Sequence, residues 1–441
     1  MTRPRVRRFL PAVVVALIFA PLHGRPHAPR DPAVEQAAPA EALAAPTTAE
    51  IARDHARMLS RLGVDRWHAA GHRGRGVTVA ILDTGFCGYR SFLGTALPPS
   101  VRARSFRLDG DLEARDSQHG ILCGEIIHAL APEADLLFAT WEADRPDTFV
   151  QAVAWAKQQG ARVVSCSVVM PSWSDGEGGG PVHADLARIA GDGESPADLV
   201  CCACAGNTAQ RHWHGPFRPD ALGYHQWYAG QRDNGLMPWG EDERVSVELC
   251  WPAGSAYTVH VHDAATGVEI GRAPLHHLTG GHCGVVRFAP LRGARYTVRV
   301  RHAGGPAAPF HLAVLGGWLD WYHEWGSIPF PADGPEFVAV GALEATGRRA
   351  VYSSCGPNSA VPKPDFVAIV PVLTACRGKP FAGTSAAAPQ AAGLAALCLG
   401  RHPDWTPHRV HSYLRNTATD IAPPGHDWET GYGLLRLPYG P

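Results

Sequence analysis

Gly76-Val-Thr-Val-Ala-Ile-Leu-Asp83-Thr-Gly85 is a short β-branched run that closes on a carboxylate and a turn. Its near-continuous apolar character is the pattern of a strand buried on both faces, and such strands belong to parallel sheets covered by helices. Asp83 then stands at the strand's C-terminal edge, where open α/β sheets form ligand sites. Taken by itself, it is equally a turn residue. Downstream, a strand at Ala134-Asp-Leu-Leu-Phe-Ala-Thr140, a helix from Phe149 to Gln159 and a strand at Ala161-Arg-Val-Val-Ser-Cys-Ser-Val-Val169 follow one another. A Gly-rich loop from Pro171 to Pro181, a helix from Val182 to Gly191 and a strand from Leu199 to Asn207 continue the alternation. That is βαβ spacing, so the sheet is expected to be parallel and the fold α/β, doubly wound.

Three further positions carry chemistry. His119 opens a helical pattern that runs to Leu130, with Gly120 and Gly124 on the same helix allowing another backbone to come close. Asn207 ends its strand, where an amide donor can face a developing oxyanion or simply close a turn. In Phe381-Ala-Gly-Thr-Ser385-Ala-Ala-Ala-Pro389 a Gly-Thr-Ser turn enters an Ala-rich helix, which puts Ser385 at or just inside a positive helix end. That place suits a serine whose attack on a carbonyl creates an oxyanion, and it suits a helix cap equally well. Pro389 is tolerated there if it lies in the first turn. His119 and Cys123, four residues apart, could share a metal, but no third and fourth ligands of matching spacing accompany them, and no metal site is expected.

The 441 residues and 45% hydrophobic content allow one large domain or two, and a formal net charge of −1 argues against a nucleic-acid partner. Four arginines in Met1 to Arg8 precede an apolar run from Phe9 to Leu22, the layout of an export signal (residues 1–28), with retention as an N-terminal anchor as the alternative. Membrane association is expected only in the second case. Residues 29–60 read as a linker and a short helix beginning near Thr48. Eleven cysteines in a chain headed for an oxidising compartment leave at least one thiol free. Cys201, Cys202 and Cys204 read as small core residues, while Cys250 with Cys283 and Cys355 with Cys376 are the first pairs to test as disulfides.

Asp83 in Leu-Asp-Thr-Gly, His119 in His-Gly, Asn207 in Ala-Gly-Asn and Ser385 in Gly-Thr-Ser-Ala-Ala-Ala-Pro resemble, in motif and in order, the subtilases, the subtilisin-like serine proteases. The likeness covers about residues 62–207 and 331–437. It implies an exported serine endopeptidase with Ser385 as nucleophile, His119 as general base and then acid, Asp83 as the orienting carboxylate, and Asn207 with the Ser385 backbone N–H as oxyanion hole. By the same resemblance Ser167, Val168 and Val169 form the substrate-binding strand, the substrates are proteins or peptides, and the chemistry needs no cofactor. Structural calcium stays open, since no motif carries its ligands. The chain departs from the family at Ile121 and Leu122, where Thr-His is usual, at Ala386, where Met is usual, and at Val169, where Gly is common and whose bulk narrows the primary pocket. The competing reading is a subtilase-fold binding protein without activity; an aspartic protease built on Asp83-Thr-Gly85 would need a second such triplet.

Between Asn207 and Pro331 the chain is far longer than that connection requires. Arg244 to Cys250, Ala256 to His262, Gly284 to Ala289, Arg295 to Arg301 and Phe310 to Leu315 all alternate between Gly- and Pro-containing turns, the pattern of an all-β sandwich. The expected organisation is therefore a catalytic domain in two parts, 61–207 and 331–441, with residues 208–330 inserted as a β-sandwich. The stretch before the catalytic part leaves room for a helix and a linker but not for a folded inhibitory pro-domain, so the catalytic part is expected to fold without one.

Overall fold

The computed structural model describes residues 45–113, 117–240, 244–273, 282–359, 361–421 and 423–438. The expected export signal lies outside them. Among the described residues no helix is long and apolar enough to cross a membrane.

In chain order, helices α1 (Thr48–Arg61) and α2 (Val64–Ala69) lead into strands β1 (Thr78–Leu82) and β2 (Val101–Phe106), helix α3 (His119–Leu130), β3 (Asp135–Trp141), α4 (Pro146–Gln158), β4 (Ala161–Cys166), α5 (Pro181–Ala190) and β5 (Val200–Cys204). The parallel sheet resumes at β15 (Phe337–Leu343) and β16 (Phe366–Ile369) and is followed by α6 (Thr384–Arg401) and α7 (Pro407–Thr417). Its order is β16-β15-β5-β4-β1-β3-β2, with every neighbouring pair parallel. All five residues of β1 are buried, as its unbroken apolar run predicts. Val79 and Ile81 pack with α1, α2, α3, α6 and α7, whereas Ala80 and Leu82 pack with α4 and α5. Period-2 alternation along one strand thus feeds two apolar layers, the mark of a doubly wound sheet.

Between β5 and β15 the described residues form nine antiparallel strands: β6 (His212–Gly215), β7 (Asn234–Pro238), β8 (Val245–Trp251), β9 (Ala256–Asp263), β10 (Glu269–Ala273), β11 (His282–Phe288), β12 (Tyr296–Gly304), β13 (Phe310–Leu315) and β14 (Gly317–Leu319). They form a five-stranded sheet, β10-β9-β12-β7-β14, and a four-stranded sheet, β11-β8-β13-β6, which enclose a common apolar core. Tyr257, Val259 and Val261 of β9 meet Val247, Leu249 and Trp251 of β8 there. The alternate residues of the four-stranded sheet are buried as well: Ser246, Glu248 and Cys250 on β8, His311 on β13 and His212 on β6. This polar face sits on the segment that follows β4, with the Ser172 amide donating to Glu248 Oε2 at 2.9 Å and the Cys250 thiol donating to Pro171 O at 3.4 Å.

Several expectations need correction. Cys250 and Cys283 are cross-strand neighbours but are not joined by a disulfide, and neither are Cys355 and Cys376. Pro389 is the sixth residue of α6, beyond the first turn.

Candidate active site

Asp83 follows β1 directly and is fully buried. Its backbone amide extends the ladder to Ala139 O (3.1 Å), while Oδ1 accepts from the Thr84 amide at 2.7 Å. Two residues on, Gly85 O accepts from the Gly120 amide (2.7 Å), which docks the first turn of α3 against the end of β1. Neither glycine admits a side chain: a Cβ at Gly85 would lie 2.3 Å from Ser117 Oγ, and one at Gly120 would lie 2.4 Å from the Phe86 ring. This close approach brings His119, the first residue of α3, onto Asp83, with Nδ1 donating to Oδ2 at 2.8 Å. The ring stands edge-on to Phe381, and 29% of the side chain is exposed. Burial pulls the imidazole pKa down, but the Asp83 carboxylate outweighs it and the net shift is upward.

Ser385 is the second residue of α6, so its N–H lies in the first turn, where a helix offers no carbonyl partner. Its hydroxyl donates to Ser167 O at 3.2 Å, and not to His119. Asn207, beyond the end of β5, is held by α6: Oδ1 accepts from the Thr384 amide (3.0 Å) and from Thr384 Oγ1 (2.9 Å). Those two bonds fix which end of the carboxamide is oxygen and leave Nδ2 as the outward donor. Ser167, Val168 and Val169 leave the C-terminal end of β4, so all the predicted site residues gather along one edge of the sheet and at the start of α6.

Two residues enter the site without having been singled out for it. Thr384 positions Asn207, and its Oγ1 also accepts from the Gly206 amide at 3.2 Å. Cys123, one turn after His119, points its thiol at Asp83 Oδ2 (3.9 Å) and Ser385 O (3.7 Å). The i, i+4 spacing was its signal; the third donor lay far away in sequence. Asp83, His119 and Cys123 do bring three donor atoms within 4.8 Å of one another. Burial pushes the Cys123 thiol well above its ordinary value and the Asp83 charge adds to the effect, so it serves as an S–H donor. Ile121, Leu122 and Ala386 are core residues here, and none of them contributes a polar group to His119.

Residues 325–433 match the model of the Subtilase family. Over 111 residues the chain is 37% identical to Subtilisin E of Bacillus subtilis (strain 168), covering 25% of this chain and 28% of that relative. Alkaline elastase YaB of Bacillus sp. (strain YaB) is 33% identical over 111 residues, with the same coverage of 25% and 28%. Residues 325–433 are thus similar to one part of the subtilases. The chain spans 28% of the length of these curated relatives. The family-model match includes Ser385, while Asp83, His119 and Asn207 fall outside it. For those three, the subtilase reading rests on motif and geometry. In fold, the chain resembles the CspB protease of Clostridium perfringens, with a TM-score of 0.60 at 14% identity over 86% of this chain and 97% of that one. It also resembles a lanthipeptide protease, at a TM-score of 0.50 and 16% identity over 87% and 93% of the two chains.

Proposed function

We propose that this chain is a subtilase, an exported serine endopeptidase in which Ser385 attacks the peptide carbonyl. His119 takes its proton and returns it to the leaving amine, Asp83 holds the imidazole tautomer, and Asn207 Nδ2 and the Ser385 N–H receive the oxyanion. The observation that carries this reading is the 2.8 Å Asp83–His119 bond at the sheet edge that also holds the start of α6. An extended substrate would pair with residues 167–169 and offer an N–H to Ser167 O. That N–H competes with the bond the Ser385 hydroxyl now makes, which frees the hydroxyl for His119. Export rests on the basic and apolar order of residues 1–22. The division into catalytic parts 61–207 and 331–441 with a β-sandwich at 208–330 rests on the parallel strands lying on either side of the antiparallel ones.

The second reading, a subtilase-fold binding protein, has the Ser385–Ser167 hydrogen bond in its favour. A serine-directed phosphonylating reagent separates the two. Ser385 should be labelled alone among the serines, and Ser385→Ala should abolish labelling and peptide hydrolysis while keeping a cooperative melt. A folded protein whose Ser385 reacts no faster than a surface serine would leave only the binding reading.

A further inference from the structure

Glu177, His214 and His311 converge on the side of the four-stranded sheet away from the apolar core. His214 on β6 and His311 on β13 are direct partners in the ladder, so both rings emerge on one face, and they stack at 4.0 Å between centroids and 10° between planes. Glu177 comes from the loop that joins the β4 exit to α5. That loop is firmly built: Asp175 Oδ1 accepts from the Glu177 amide (2.8 Å) and the Gly179 amide (2.9 Å), and Gly176 O accepts from Asn358 Nδ2 (3.1 Å). Gly176 has φ +88°, and a Cβ there would lie 2.4 Å from the His311 ring, so the loop makes room for that imidazole at the cost of a side chain. Glu177 Oε1 then stands 2.9 Å from His311 Nε2 and 3.7 Å from His214 Nε2, and the three donor atoms lie within 4.8 Å of one another.

The hydrogen-bond chain behind His311 explains what this arrangement wants. His212 Nδ1 faces His323 O at 3.3 Å and must carry a hydrogen to do so. In the neutral ring its Nε2 is then a bare acceptor, 3.0 Å from His311 Nδ1, so the hydrogen on that contact belongs to His311. The Nε2 lone pair of His311 is then left aimed at the Glu177 carboxylate, an arrangement that a metal ion between them would satisfy. A metal-binding histidine held by an outer hydrogen bond through its other nitrogen has this construction.

We propose that Glu177, His214 and His311 bind a divalent transition metal, Zn²⁺, which joins the loop after the candidate substrate strand to the four-stranded sheet. Two imidazoles and one carboxylate suit zinc, and ligand atoms about 3.3 Å apart around a tetrahedral ion fall inside the separations present. The stacked rings must open for both nitrogens to reach one ion. His214, with 31% of its side chain exposed, moves while buried His311 stays. The fourth position is left to water. The inference does not depend on catalysis by Ser385.

The test uses the full chain, stripped with a chelator and titrated with Zn²⁺ by calorimetry beside Glu177→Gln and His214→Phe, two half-exposed positions whose variants should keep a cooperative melt. The phenylalanine retains the stack and removes the nitrogens. The wild-type protein should bind one zinc more than either variant, or bind it more tightly by at least the about 10- to 100-fold that even an outer partner is worth. Its Co²⁺ form should show a nitrogen–oxygen spectrum without a thiolate charge-transfer band. Equal stoichiometry and affinity in all three proteins would overturn the site. A thiolate band unchanged in the variants would place the ion at Cys123 instead.

Discussion

Pro389 removes a hydrogen bond where the site needs a free acceptor. At the sixth position of α6 it has no N–H to give to Ser385 O, four residues back. That carbonyl is taken instead by Ser167 Oγ (3.1 Å) and the Cys123 thiol, so the missing helix bond is exchanged for ties to the β4 exit and to α3. At this scale two predictions follow from electrostatics. The His119 pKa is raised net, so the neutral base is reached only above the ordinary histidine value near 6.5 and the acidic limb of kcat/KM should lie above it. Asp83→Asn leaves the burial and removes the charge, so the His119 imidazole, followed by NMR, should titrate lower than in the parent protein. Asn207→Ala removes the proposed oxyanion donor and should reduce kcat by about 10²–10³, the range known for such a donor in a subtilisin, while labelling of Ser385 persists. The places of Asp83, His119, Asn207 and Ser385 in the fold were legible because each ends or begins an element whose pattern is strong. Thr384 and Cys123 were not, since their roles are set by partners more than a hundred residues away.

Among the elements, α5 is fastened most tightly by charge. His183 on its first turn is buried between Asp333, whose Oδ1 accepts from Nε2 at 3.0 Å, and Glu336, which pairs with Nδ1. Burial opposes the charged ring, but the two carboxylates outweigh it and hold the pKa at about 10. A raised folded-state pKa gives stability that is complete below the ordinary value near 6.5 and is lost as pH climbs from there through about 10. The melting temperature should therefore fall across that alkaline window, and His183→Phe should flatten the fall. The same variant strands two buried carboxylates, and its cost at neutral pH should be about 3–5 kcal/mol by chemical denaturation. Element prediction succeeded where apolar runs or alternation were long and failed at β2, β6, β7, β10, β14 and β16. β2 is an edge strand carrying Arg102 and Arg104, and β6 is His212-Trp-His-Gly215, four residues that only their partner strands make extended.

In the molecule as a whole, alternation in the sequence disclosed one buried face of the four-stranded sheet, yet both faces are buried. The second is polar, and a sequence cannot tell a polar face that meets water from one that meets protein. Glu248 is where the two meet: Oε1 accepts from Ser246 Oγ (2.8 Å) and Oε2 from the Ser172 amide just beyond the candidate substrate strand. Glu248→Ala would leave that buried amide without its acceptor, so a loss of about 1–3 kcal/mol is expected, with faster amide exchange at residues 171–173. The antiparallel unit leaves and rejoins the parallel sheet between two strands that are hydrogen-bonded neighbours, Phe337 of β15 pairing with Cys201 of β5. For a chain still folding, that pairing must close over everything from 205 to 336. The entropic penalty of so long a loop shrinks if the nine intervening strands are already compact, because their two ends then arrive together. Refolding should accordingly run from the inside of the sequence outward, with amides of β8, β9, β12 and β13 protected before those of β5 and β15.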